Sequence, residues 1–279
     1  MRILITGANG MLADAVKDAF KNEDLICTDV DELDITDLEQ VEKFITESKP
    51  DVIINCAAYT AVDNAENDYE VAKRINAIGP RNLAIAAEEN DSILVHISTD
   101  YVFSGELSTD EVYKEDDETG PETVYGETKL LGENEIKENT DCYYIFRTAW
   151  LFGNGKNFVR TMLNAGRNNE EVKVVADQHG SPTYTVDLAD VIKQALTKKI
   201  PYGTYHVTNL GYTTWYEFTQ EIYKQANIPC KITPVTSEEF VRPAKRPNNS
   251  KLSKDKILDT GVVIPDWKSA LSRYLKSEI

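Results

Sequence analysis

Through the first half of the chain, short apolar runs alternate with longer amphipathic segments, and few folds satisfy that order. The runs are Ile3 to Thr6, Leu25 to Asp29, Val52 to Ala57, Ile93 to Ser98 and Cys142 to Arg147. Helical patterns separate them, among them Leu38 to Ser48 and Val71 to Glu89. A β-α-β-α order calls for a parallel sheet with helices on both faces, and continuous apolar strands are what such a covered sheet requires. The expected class is therefore α/β, a Rossmann-type doubly wound parallel sheet. After Trp150 the pattern loosens. Helices are expected at Asn157 to Gly166, Thr185 to Lys198, Thr214 to Gln225 and Asp266 to Lys276, with strand pieces at Lys173 to Ala176 and Tyr205 to Val207. Prolines gather there, at 229, 234, 243, 247 and 265. The reading is a sheet domain over residues 1–150 and a smaller α/β substrate lobe over 151–279, with interleaving of the two left open. The acidic loop from Ser104 to Pro121 reads as a solvated connection, with a flap over a site as the sharper alternative.

The first strand runs into Gly7-Ala8-Asn9-Gly10-Met11-Leu12-Ala13, a G-x-x-G-x-x-A turn that opens a helix. Gly7 allows a tight turn, Gly10 lets the backbone approach a pyrophosphate, and Ala13 permits close helix–strand packing. The helix start offers unpaired N–H groups and a positive dipole end to phosphate. Asp29 lies 19 residues past Gly10, at the end of the second strand. A carboxylate there accepts hydrogen bonds from ribose hydroxyls and repels an additional phosphate, which favours NADH and leaves NADPH possible. Asp34 and Ile35 either line the adenine pocket or belong to a solvated acidic loop with Asp31 and Glu32.

Tyr125-Gly126-Glu127-Thr128-Lys129 puts a phenol and an ammonium on one helical face. A nearby cation, the lysine together with an oxidised nicotinamide, favours the phenolate and lowers its pKa, so the pair can serve proton transfer to a carbonyl. Tyr69 and Lys73 share the spacing but precede a different helix, and they read as a surface pair. The fourth strand ends in Ser98-Thr99-Asp100-Tyr101, where either hydroxyl can bind a substrate oxygen.

A formal net charge of -17 argues against nucleic acid and anionic membranes as partners. No apolar run reaches the roughly 18 residues of a membrane span, and the first residues lead straight into a strand without a signal-peptide pattern. The expected location is the cytoplasm. Cys27, Cys56, Cys142 and Cys230 form no C-x-x-C pair, so they read as reduced, packed thiols and no metal ligands are assigned.

With Pro50-Asp51-Val52-Ile53-Ile54-Asn55-Cys56-Ala57-Ala58-Tyr59-Thr60-Ala61-Val62-Asp63, Phe146-Arg147-Thr148-Ala149-Trp150 and Arg246-Pro247-Asn248-Asn249-Ser250, these motifs span the chain. Together they resemble the extended short-chain dehydrogenase/reductases and, within them, the dTDP-4-dehydrorhamnose reductase family. The resemblance implies a nicotinamide-dependent reductase acting on a nucleotide-linked 4-keto-6-deoxysugar. It implies Thr99, Tyr125 and Lys129 as the catalytic set. Cofactor contacts are implied at Gly7, Gly10, Met11, Leu12, Asp29, Asp34, Ile35, Ala58, Tyr59 and Thr60, besides Tyr125 and Lys129. Substrate contacts are implied at Thr99, Asp100 and Trp150, and more loosely at Arg246 and Asn249. Tyr59 stands where relatives often carry histidine, and Ala13 where many carry glycine. Some relatives dimerise through a magnesium site whose acidic ligands have no clear match here, so Mg2+ and the choice between monomer and homodimer stay open. Two rivals remain: a related nucleotide-sugar epimerase or dehydratase with tightly held NAD, and a cofactor-binding regulatory subunit without turnover. The intact Thr99, Tyr125 and Lys129 argue against the second.

Overall fold

In the computed structural model, which describes residues 1–278, the five apolar runs become β1 (Arg2–Thr6), β2 (Asp24–Thr28), β3 (Val52–Asn55), β4 (Ile93–Thr99) and β5 (Tyr143–Thr148). The helices among them are α1 (Met11–Ala19), α2 (Leu38–Ser48), α3 (Val62–Ala65), α4 (Tyr69–Lys73), α5 (Gly79–Glu89) and α6 (Val124–Asn139). The second half adds β6 (Leu151–Phe152), α7 (Phe158–Asn168), β7 (Glu171–Val175), β8 (His179–Gly180), β9 (Thr183–Tyr184), α8 (Thr185–Lys198), β10 (Gly203–His206), β11 (Thr213–Thr214), α9 (Trp215–Ala226), β12 (Lys231–Val235), α10 (Asp255–Asp259) and α11 (Trp267–Glu278).

The central sheet has the order β2-β1-β3-β4-β5-β10, and every pairing in it is parallel. Its strands are apolar throughout because each face is covered. Ile3, Ile5, Val52, Ile54, Val95 and Phe146 pack on one side with Val16 of α1 and Leu188 and Ile192 of α8. Leu4, Ile53, Leu94 and Ile145 pack on the other with Val41 and Ile45 of α2, Leu83 of α5 and Ile136 of α6. Each such buried aliphatic side chain stabilises the fold by roughly 1.5–3 kcal/mol. A third apolar cluster joins α7, α9 and α11 through Leu163, Phe218, Ile222, Leu271 and Tyr274. Strand order reverses between β1 and β3, so the crevice beyond their C-terminal ends is where an open α/β sheet binds ligands. Strand β10 and helix α8 come from beyond residue 150, yet they pair with β5 and pack against α1.

Three expectations change. The helix expected from Val71 to Glu89 is interrupted by a π-helical turn over Arg74–Ile78. Pro80 has no N–H to donate to the Asn76 carbonyl, so the regular ladder cannot continue there. The Ser104–Pro121 loop is more than a solvated connection. Its Tyr113 is buried, stacks on Phe103 at 4.3 Å and joins Val102 and Leu252 in a small apolar cluster. Finally, Cys27 is exposed rather than packed, because β2 is an edge strand. Among the described residues, no helix is long and apolar enough to cross a membrane.

Candidate active site

The turn between β1 and α1 is built on close backbone approach. Gly7 adopts φ 63°, and a Cβ there would stand 2.6 Å from the Ala57 nitrogen. Only glycine combines that conformation with that contact. Gly10 caps α1 without a side-chain hydrogen bond, so the first N–H groups of the helix are left for another partner. Asp29 accepts from the Asn9 and Val30 nitrogens. It lines a groove with Gly7, Gly10, Asp34, Ile35 and Ala58. The Asp34 carboxylate is bound by the Thr36 nitrogen and hydroxyl, and it shapes the groove wall.

Past Gly10 the groove opens into a cavity of about 390 Å³ lined by Met11, Leu12, Ala58, Thr60, Thr99, Asp100, Tyr101, Tyr125, Lys129 and Trp150. Thr123 caps α6 by accepting from the Gly126 nitrogen, which starts the helix so that Tyr125 and Lys129 share a face. Gly126 lets α6 approach the end of β4: a Cβ there would lie 2.2 Å from the Tyr101 carbonyl oxygen. The Tyr101 and Tyr125 rings meet edge to face at 5.6 Å.

Burial pushes the Tyr125 phenol up to about 12, against a smaller downward pull from Thr99. Lys129 is not among the groups that move it. The lysine turns to β4 instead, donating to the Ile97 carbonyl at 2.6 Å and meeting His96 Nε2 at 3.1 Å. Burial brings the Lys129 ammonium down to about 8, and Glu133 pulls weakly the other way. The Thr99 hydroxyl donates to Asp100 at 2.9 Å. Burial lifts the Asp100 carboxyl to about 6, opposed by hydrogen bonds of which Thr99 supplies the first.

Trp150 separates this cavity from a second of about 370 Å³, which it lines with Tyr101, Phe158, Met162, Trp215, Arg242 and Arg246. Trp150 has φ 49°, an unusual conformation for so bulky a residue. It is held by stacking on Trp215 at 3.6 Å and by Gly180, where a Cβ would lie 2.6 Å from the indole. Arg246 pairs with Asp63 at 2.9 Å at the cavity edge.

Two expected residues are not brought to these cavities. Tyr59 donates its hydroxyl to Asp68 at 2.7 Å and is absent from the cleft lining. Asn249 is fully buried, and its side-chain amide donates to the Leu107, Ser108 and Glu111 carbonyls, so it braces the 104–121 loop. The surface pair behaves as expected: Tyr69 donates to Glu127 at 3.0 Å, away from the cleft. Sequence reasoning passed over Arg242, His96 and Asn55. The signal for His96 was an imidazole inside an otherwise apolar strand. Among the described residues, no group of three or more His, Cys, Asp or Glu side chains could hold a metal ion.

Comparison with known proteins fits this geometry. Residues 1–279 match the family model described as RmlD substrate binding domain. A crystal structure of a dTDP-4-dehydrorhamnose reductase from Clostridium acetobutylicum superposes with a TM-score of 0.96 at 50% identity, covering 100% of this chain and 99% of that one. The dTDP-4-dehydrorhamnose reductase of Bacillus anthracis, solved in complex with NADP, gives a TM-score of 0.95 at 41% identity over 99% of each chain. A probable dTDP-4,6-dihydroxy-2-methyloxan-3-one 4-ketoreductase of Streptomyces antibioticus is 42% identical over 97% of this chain and 93% of its own. The chain therefore belongs to the RmlD substrate binding domain family, that of the dTDP-4-dehydrorhamnose reductases.

Proposed function

We propose that the protein reduces the C4 ketone of dTDP-4-dehydro-L-rhamnose to give dTDP-L-rhamnose, with NADH as preferred cofactor and NADPH as the second. One observation carries the reading: Thr99, Tyr125 and Lys129 line a single cavity between the glycine-turn groove and the Trp150 cavity. The groove suits a dinucleotide, since Gly7 and Gly10 leave backbone where a side chain would intrude and α1 presents free N–H groups to a pyrophosphate. In this reading Asp29 accepts from the adenosine ribose hydroxyls, which its shared groove with Asp34 and Ile35 supports. Its negative charge supports the preference for NADH.

When bound, the reduced nicotinamide supplies hydride to the ketone carbon. The remaining work falls to the chain. Tyr125 gives its proton to the ketone oxygen, and a phenol held near 12 carries that proton throughout the neutral range. Thr99 orients the same oxygen by turning its one hydroxyl hydrogen from Asp100 to the substrate. Lys129 stabilises the phenolate that Tyr125 becomes and holds the nicotinamide ribose. Trp150 packs on the sugar. Arg246, with Arg242 from the same cavity, holds the diphosphate. Asp100 lies beside Thr99 at the sugar. The reading places the enzyme in the cytoplasm.

The test is NADH oxidation with dTDP-4-dehydro-L-rhamnose, run beside NADPH and beside UDP- and GDP-linked keto sugars. The dTDP sugar should be turned over with NADH. Tyr125→Phe should lose at least about a hundredfold in turnover while binding NADH nearly as before. Normal turnover by that variant would remove Tyr125 from the mechanism.

A further inference from the structure

Behind Lys129 lies a buried chain of polar side chains that the mechanism above does not use. The Ala57 nitrogen donates to Asn55 Oδ1 at 3.1 Å, and the Thr6 hydroxyl donates to the same oxygen at 2.8 Å. A backbone N–H can only donate, so these contacts fix which end of the Asn55 amide is oxygen. The amide nitrogen, Asn55 Nδ2, then faces His96 Nδ1 at 3.1 Å and must donate to it. His96 is fully buried, and burial first, then the Lys129 charge, keeps its imidazole far below the usual range and hence neutral. A neutral imidazole carries one N–H. With Nδ1 accepting, that hydrogen sits on Nε2, which faces Lys129 Nζ at 3.1 Å. An ammonium has no lone pair with which to accept it. The contact is therefore satisfied when Lys129 is an amine and is donor against donor when Lys129 is charged.

We propose that His96, held by Asn55 as the Nε2-protonated tautomer, is a positioning residue that donates to Lys129 and primes this lysine to release its proton during turnover. The proposal deepens the reductase reading and rests on it. Tyr125 loses its O–H proton to the ketone oxygen as hydride forms the new C–H bond. Lys129 passes one proton from Nζ to the phenolate, becomes an amine that accepts from His96, and is recharged from solvent. Other groups do not supply this effect. Glu133, one turn along α6, is occupied by Arg147 of β5 and by Ser98 of β4. Asp100, beyond β4, is bound by Thr99, while Cys56, Tyr101 and Tyr125 line the same cavity and are kept neutral by burial, which raises each.

Two measurements decide it. Two-bond proton–nitrogen correlations on the nitrogen-15-labelled, cofactor-free protein report the tautomer, with His96 assigned through its contacts to the Asn55 amide. The expected result is a hydrogen on Nε2 that persists across the neutral range, and a hydrogen on Nδ1 overturns the proposal. The second is the pH profile of kcat/KM for reduction. It should fall at alkaline pH as Lys129 loses its proton. His96→Gln can turn a carbonyl oxygen toward Nζ, which favours the ammonium and should move that limb up by about one pH unit, with a lower plateau. A folded His96→Gln protein with an unmoved limb also overturns the proposal. Absence of turnover in the wild type overturns the reductase reading beneath it, whereas turnover with a hydrogen on Nδ1 overturns the His96 role alone.

Discussion

Asp100 sits at the hinge between the sheet and the cleft, and its carboxyl is almost wholly withdrawn from water, at 3% exposed. Burial lifts it from 3.8 to about 6 while the Thr99 hydroxyl pulls the other way. A carboxyl raised on folding contributes stability in its protonated form. That contribution is full below the unfolded value and is lost as pH rises through the folded one. Asp100→Asn never ionises, so it should gain on the wild type by about 3 kcal/mol between about pH 3 and about pH 8. Denaturant unfolding at the two pH values measures this, and a constant difference would contradict a carboxyl raised by burial. At this scale the sequence was informative where chemistry clusters locally. Thr99, Asp100, Tyr125, Lys129 and Trp150 belong to short motifs and all reach the cleft. The pairing of His96 with Asn55 was not legible, because it joins neighbouring strands and no spacing along the chain encodes it. Asn249 misled for a related reason: its motif was visible, but the loop that consumes its hydrogen bonds lies over a hundred residues away.

Helix α6 turns those residues into a site. Tyr125, Lys129 and Glu133 follow one another at single-turn intervals, so the face that meets the sheet is polar. Glycine seats the helix on its other neighbour: at Gly132 a Cβ would stand 2.0 Å from the Asn76 carbonyl oxygen of the π-helical turn. The helix start was legible at Tyr125, but the core face was not, since it carries glycines, a lysine and a glutamate where an apolar stripe would be expected. Glu133 anchors that face. It is fully buried and receives two bonds from Arg147, at 2.9 and 2.7 Å, and one from Ser98 at 2.6 Å. Burial pushes its carboxyl up, but Arg147, Lys137 and Ser98 together hold it below the ordinary range. Glu133→Leu should cost roughly 3–5 kcal/mol, because it strands a buried guanidinium, and adding Arg147→Met should recover most of that loss. Urea unfolding of the single and double variants separates the two outcomes. A single variant as stable as the wild type would mean that the pair does not anchor α6.

Across the whole molecule, three cavities run in sequence along the C-terminal edge of the sheet, sharing Gly10 and Ala58 at one junction and Tyr101 and Trp150 at the other. A dinucleotide entering from one side and a nucleotide sugar from the other would meet at Tyr125. The sheet half of this plan was readable from hydrophobic runs, since strands buried on both faces announce themselves. The second half was harder: β6, β8, β9 and β11 are two-residue strands, too short for any periodicity to show. The division near residue 150 remains our proposal for the two lobes, with α8 and β10 crossing back to complete the sheet domain. Direct hydride delivery to a ketone on the sugar can be followed with NADH deuterated at the transferable position of nicotinamide C4 and dTDP-4-dehydro-L-rhamnose. One deuterium should appear at sugar C4 for each NADH consumed, and with Tyr125→Phe both amounts should fall together to almost nothing. Deuterium absent from the sugar, or a product formed with no net loss of NADH, would contradict direct hydride delivery.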